Sequence, residues 1–142
     1  MSKEKYCELI DRICAICNIP DSKSKYEGCH LKVEGTPVSL FHGGPLNERY
    51  LVSFCDFGEI PTENEADFLR AALETNMMLI GNGMPHFVVN PETRHLLLVS
   101  QTPLQGLMAE DLLATLTSQV ISSGVWRNTQ FAGIKDNTSA PL

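Results

Sequence analysis

The residues best suited to chemistry lie near the N-terminus. Cys14-x-x-Cys17, followed by Cys29 and His30, supplies four side chains of the types that hold zinc, and the first pair has the spacing of a zinc finger. Two features oppose a metal site. Cys29 and His30 are adjacent, so on a strand they point to opposite faces. Cys14 and Cys17 belong to a helical apolar stripe with Ile10 and Ile13, where small buried thiols pack as hydrophobes. The same Cys-Ala-Ile-Cys run fails as a redox dithiol, because it lies within a helix and not at a helix N-terminus that would stabilise a thiolate. No metal or other cofactor is expected.

The remaining candidates are no stronger. His30, His42, His86 and His95 fall on predicted strands and turns, and none forms a His-Glu-x-x-His pair. Gly43-Gly44 and Gly81-Asn82-Gly83 mark turns, but neither belongs to a phosphate-binding loop with its lysine. No Gly-x-Ser-x-Gly elbow presents a nucleophile. Glu63 with Glu65, and Glu110 with Asp111, read as negative charge at helix starts. Met77, Met78 and Met84 cluster at a turn and fill core gaps or offer an adaptable binding surface. Catalysis has no evident set of residues.

The elements that position these residues are organised around Pro61–Gly83. Thr62 is the expected N-cap, with Glu65 reaching back to it, and Ala66, Leu69, Ala72 or Leu73, and Asn76 recur at helical steps. Phe68 and Ala71 widen that stripe. The helix is expected to end near Asn76–Met78, before the Gly81-Asn82-Gly83 turn. A first helix is predicted from Lys3 to about Asn18, stopped by Pro20, with Asp21–Lys25 as a polar loop. Alternation predicts strands over Cys29–Glu34, Val38–His42 and Arg49–Phe57. Two more follow over Phe87–Val89 and His95–Val99, joined by a turn at Asn90–Thr93, and Gln101–Leu104 is expected to leave the sheet. A last helix is predicted over Ala109–Arg127, and the segment after it lacks any period.

The order is α-β-β-β-α-β-β-α: an α+β fold with an antiparallel sheet and three helices. Residues 1–128 form the expected domain and 129–142 a mobile C-terminal tail. In Arg49–Phe57 and Leu96–Val99 both faces carry apolar side chains. Either helices cover both faces of the sheet, or part of one is left for a second chain.

Composition narrows the class. The 142 residues suit one domain, with 43% hydrophobic and 20% charged residues. Eleven Lys and Arg against seventeen Asp and Glu give a net charge of −6. That balance argues against a nucleic-acid partner or an anionic membrane surface. No apolar run suggests a membrane span, and the charged N-terminus does not resemble a secretory signal. The five cysteines, odd in number and set among apolar neighbours, suit a reducing cytoplasm.

With these elements in order, the chain resembles the class I chaperones of type III secretion, the Tir-chaperone (CesT-like) family, over roughly residues 1–128. The resemblance rests on several residues taken in sequence. Leu51–Pro61 runs from a strand into an acidic turn, and Phe68–Asn76 (F-L-R-A-A-L-E-T-N) is a Leu-rich helix closing on Asn. Then come the strands at Phe87–Asn90 and Leu96–Val99, the Pro103-Leu104 step, and a final helix closing on Trp126. The Cys-rich first helix and the polar tail depart from the family's pattern.

The resemblance implies a cytoplasmic bacterial homodimer. Without ATP, it would bind the N-terminal region of a secreted effector in extended form and keep it export-competent, with the secretion ATPase as a further partner. It places dimer contacts at Leu69, Ala72, Leu73, Asn76 and Met77 of the central helix, with Phe87 and Val89 of the neighbouring strand. It places effector contacts at Ile10, Ile13, Ile16 and Cys17 of the first helix and Leu31, Val33, Val38 and Leu40 of the first strands. The competing reading is a small α+β ligand-binding domain or enzyme using Cys and His residues.

Overall fold

The computed structural model describes residues 2–79 and 85–136, with side chains left undescribed at 2, 122–123 and 125–136. The Gly81-Asn82-Gly83 turn and Met84 lie outside the described residues.

Helix α1 (Ser2–Cys17) buries Tyr6, Ile10, Ile13 and Cys14, which recur at steps of three and four on one face. It ends where Asn18 takes a left-handed conformation, which Asn tolerates better than most residues. A single 3₁₀ turn (Ser22–Lys25) leads into three strands, β1 (Cys29–Val33), β2 (Thr36–His42) and β3 (Tyr50–Glu59). Helix α2 (Glu65–Met78), strands β4 (His86–Val89) and β5 (His95–Pro103), and helix α3 (Ala109–Asp136) complete the chain. The predicted element order is the observed one. All neighbouring strands are antiparallel, in the order β1-β2-β3-β5-β4, so β1 and β4 form the two edges.

Several local expectations are corrected. Helix α2 begins at Glu65 with Asn64, not Thr62, as its N-cap, and no side-chain cap bond forms. Asn64 is left-handed there (φ 60°), so the expected capping box does not close. The Glu65 carboxylate instead pairs with Arg94 at 2.9 Å. The buried face of α2 is centred on Phe68 and Ala72, and Ala66 is exposed. Strand β5 does not leave the sheet at Gln101. It continues to Pro103, which stands opposite Tyr50. Proline is tolerated because β4 pairs with β5 only as far as Val99, so among the described residues no outer strand is paired at Pro103 to receive the missing N–H. Helix α3 runs past its expected end at Arg127 to Asp136, into the segment expected as a tail.

Along β3, burial alternates strictly: Leu51, Ser53, Cys55 and Phe57 are buried, while Tyr50, Val52, Phe54 and Asp56 are half-buried. Leu51, Cys55 and Phe57 join Val38, Leu40, Leu96 and Leu98 in one core with α1, with Phe68 and Ala72 of α2, and with Leu112, Leu116 and Val120 of α3. All three helices therefore pack on one face of the sheet. The other face carries Phe41, Val52, Phe54, Leu97 and Val88, none of which belongs to that core.

Candidate protein-binding interface

The candidate Cys and His residues named from the sequence are dispersed in the fold. Cys14 and Cys29 are buried, whereas Cys17 and His30 are exposed. Among the described residues, no group of three or more His, Cys, Asp or Glu side chains could hold a metal. Burial pushes the Cys14 thiol up, and pushes Cys29 and Cys55 up to about 11, so these thiols are poor nucleophiles at neutral pH. His42 is held by Tyr6, whose ring lies 5.6 Å away, and by the Glu48 carbonyl at 2.8 Å from Nε2. His30 lies 2.8 Å from the Ser39 hydroxyl, and His86 is exposed on edge strand β4. A cleft of about 640 Å3 between the start of β3 and the end of β5 is lined by Lys5, Arg49, Tyr50 and Gln105, among others, and by no His or Cys.

The structure does gather apolar surface, in two places. The first is a groove of about 270 Å3 between α2 and edge strand β4. It is lined by Leu69, Ala72, Leu73, Phe87 and Val89, with Val88 and Leu96. Five of the seven residues expected at a dimer contact thus lie together. Met77 is exposed on the same helix, and so is Met78. Asn76 has another local task. Its Nδ2 donates to the Phe87 carbonyl at 3.0 Å, and its Oδ1 accepts the Phe87 N–H at 2.6 Å. One side chain thereby replaces a missing strand partner and ties β4 to α2.

The second is the uncovered sheet face. Phe41 and Phe54 meet edge to face with centroids 5.9 Å apart, and His30 stacks against Phe41 in the same way at 5.9 Å. Gly28 makes room for this, because a Cβ there would come within 2.7 Å of the Phe41 ring. Beyond Phe54 the face continues through Val99 and Leu97 to Val88. Asp56 stands on this same face, with both carboxylate oxygens 2.9 Å from His95 Nδ1. Glycine at 58 (φ +92°) permits the irregular pairing between Asp56 and Glu59 that brings the two side chains together.

The expected client contacts are distributed differently. Ile10, Ile13, Val38 and Leu40 are fully enclosed in the protomer core, Val33 is buried, and Leu31 packs half-buried against that core. In the protomer Ile10, Ile13, Val38 and Leu40 present almost no surface to a bound chain, whereas Leu31 keeps part of its own. Only Ile16 and Cys17 are exposed. The reason is strand parity: side chains alternate, and helix α1 covers the set containing Val38 and Leu40. The outward set contains Phe41, Val52 and Phe54, of which the sequence marked only Val52 and Phe54 as lying in a strand apolar on both faces.

Comparison with known proteins follows the fold. The sequence model of the Tir chaperone protein (CesT) family matches residues 8–127. No curated protein matches the sequence. Among solved structures, a chain of the ExsC–ExsE complex superposes with a TM-score of 0.67 at 20% identity, covering 89% of this chain and 93% of that one. A chain of the HopA1–SchA chaperone–effector complex gives 0.64 at 14% identity, covering 90% and 97%. A chain of the ExoT–SpcS complex from Pseudomonas aeruginosa gives 0.58 at 18% identity, covering 84% and 94%. At these identities the likeness establishes a shared fold.

Proposed function

The chain belongs to the Tir chaperone protein (CesT) family, and from that premise we propose that it is an ATP-independent chaperone of type III secretion. It binds the N-terminal region of a secreted effector in the bacterial cytoplasm and holds it soluble and competent for export. The observation that carries this reading is the sheet with one covered face. Three helices enclose Leu51, Cys55 and Phe57, while Phe41, Val52, Phe54 and Leu97 on the other side are only half-buried and lie outside the core that those helices form. An extended or amphipathic client segment can lay its apolar side chains there and add backbone bonds at the edge. The chain is not an enzyme on this reading, since binding and release need no bond chemistry.

The α2–β4 groove supports a homodimer. Its lining is apolar, and Leu73 and Met77 beside it stand out into solvent. A second copy related by a two-fold axis would present the same helix and the same groove, giving a self-complementary contact. The loaded dimer would then meet the secretion ATPase as a further partner.

Co-expression tests the proposal. The chain is produced together with the N-terminal segments of candidate secreted effectors of the same bacterium, one at a time and without added nucleotide. The expected result is a soluble complex of two chains with one client segment, lost when Phe54 and Val52 are both replaced by Ser. A client that stays equally soluble alone, or a complex indifferent to the double variant, would refute the assignment.

A further inference from the structure

The uncovered face is not uniformly apolar. A pocket of about 280 Å3 on it is lined by Ser39, Phe41, Phe54, Asp56, Asn90 and Leu97. Register explains why the strand side chains meet: Ser39 stands opposite Phe54, and Asp56 opposite Leu97, all pointing away from the helices. Two aromatic rings and a leucine therefore surround a carboxylate. Asp56 is about a third exposed, with a relative side-chain accessibility of 31%.

That carboxylate is held in place. Oδ1 accepts the Gly58 N–H at 2.8 Å, and His95 Nδ1 lies 2.9 Å from each oxygen. Because a carboxylate only accepts, the imidazole Nδ1–H is the donor. An ionised carboxylate offers about four acceptor sites, so two N–H donors leave capacity for another, chiefly on Oδ2. The basic side chain on the neighbouring part of the sheet, Lys32, lies on edge strand β1 beyond β2.

We propose that this pocket is a subsite for a basic side chain of the bound segment, arginine above all, and that Asp56 determines that preference. The inference rests on the reading that the uncovered face takes the client. A guanidinium is planar and weakly hydrated, so it can lie against Phe41 or Phe54 while its N–H groups reach the carboxylate. Lysine brings a compact, strongly hydrated charge that gains less from the rings. An apolar residue placed here would desolvate Asp56 with nothing in return, and an acidic one would be repelled. The subsite thus selects against purely greasy segments as well as for arginine. The chain's net charge of −6 acts in the same direction.

The experiment pans a display library of random short peptides against the full-length chain and against Asp56→Asn. The wild type is expected to enrich apolar peptides carrying arginine, and Asp56→Asn to enrich apolar peptides without that preference. The best peptide is then synthesised with arginine and with citrulline, its near-isosteric neutral counterpart. The arginine form should bind the wild type roughly tenfold or more tightly than the citrulline form, the scale of a hydrogen bond to a charged group. On Asp56→Asn the two forms should bind alike. Phe41→Leu, which keeps the carboxylate and removes one ring, should shrink the ratio; it provides an independent arm if Asp56→Asn melts markedly lower. Enrichment of apolar peptides without arginine, or an arginine preference that survives Asp56→Asn, overturns the subsite and leaves the proposed function standing. No enrichment at all, or peptides indifferent to Phe54→Ser, overturns the reading of the face itself.

Discussion

Replacing Leu73 with Asp tests the α2–β4 groove as a contact between two copies. In the protomer Leu73 is 69% exposed, Met77 77% and Val89 41%, beside a groove of about 270 Å3. Fully burying a leucine contributes about 1.5–3 kcal/mol. A second copy covering the exposed two thirds of Leu73 would recover roughly 1–2 kcal/mol. Two-fold symmetry makes that contribution twice, so the substitution removes roughly 2–4 kcal/mol. Each copy would also drive a carboxylate into an apolar contact, adding a few kcal/mol for the pair, or the contact opens to keep it wet. The combined loss, about 4 kcal/mol or more, weakens association roughly a thousandfold. Sedimentation equilibrium at micromolar concentration should then show a dimer for the wild type and a monomer for Leu73→Asp. The monomer should keep its fold by circular dichroism, because Leu73 lies outside the core. Leu46→Asp, on a side chain that is 100% exposed in the β2–β3 loop, should leave assembly unchanged. A Leu73→Asp protein with the wild-type dissociation constant, or a wild type that is monomeric throughout, would refute this placement of the interface.

Two further outcomes follow from single side chains. Asn76→Ala removes both bonds to the Phe87 backbone and should cost about 1–3 kcal/mol, seen as faster hydrogen exchange at β4 amides; unchanged exchange would show that β4 does not depend on the clamp. In thiol titration with a disulfide reagent at pH 8, Cys17 should react fast, while Cys14, Cys29 and Cys55 should react only as the protein unfolds. Cys17→Ser should remove the fastest thiol and leave half-buried Cys7 as the next to react, and a fast reaction of Cys14, Cys29 or Cys55 would contradict the burial.

The strands were legible because alternation in Cys29–Val33 and the apolar content of Arg49–Phe57 and Leu96–Val99 mark them without help from the rest of the chain. Which face the helices would cover was not legible. Leu51, Cys55 and Phe57 are no more hydrophobic as a set than Tyr50, Val52 and Phe54, and only packing against Ile10, Ile13 and Leu116 chooses between them. The expected client contacts at Val38 and Leu40 therefore fall on the parity that the helices enclose. The residues expected at a dimer contact do lie around one groove, because Leu69, Leu73 and Phe87 belong to two elements joined by a short connection. The pairing of Asp56 with His95 escaped notice because the two are 39 positions apart. Their meeting depends on the β3–β5 register and the bulge at Gly58, neither of which leaves a periodic trace.

A sheet with apolar side chains on the face away from its helices and with two edge strands invites aggregation, and several features of this one oppose it. Part of that opposition lies in the edges. Strand β4 has only four residues and β1 five, and β1 carries His30 and Lys32 on its outward side. Part lies in the face, where Phe41, Val52, Phe54 and Leu97 are each half-buried by their neighbours and Asp56 interrupts them. A second copy of this face carries the same carboxylate, so stacking two faces would bring like charges and unpaired acceptors into an apolar contact. A client that supplies a cation avoids that cost. The feature that would let the face choose a partner is therefore also the one that keeps it from choosing itself.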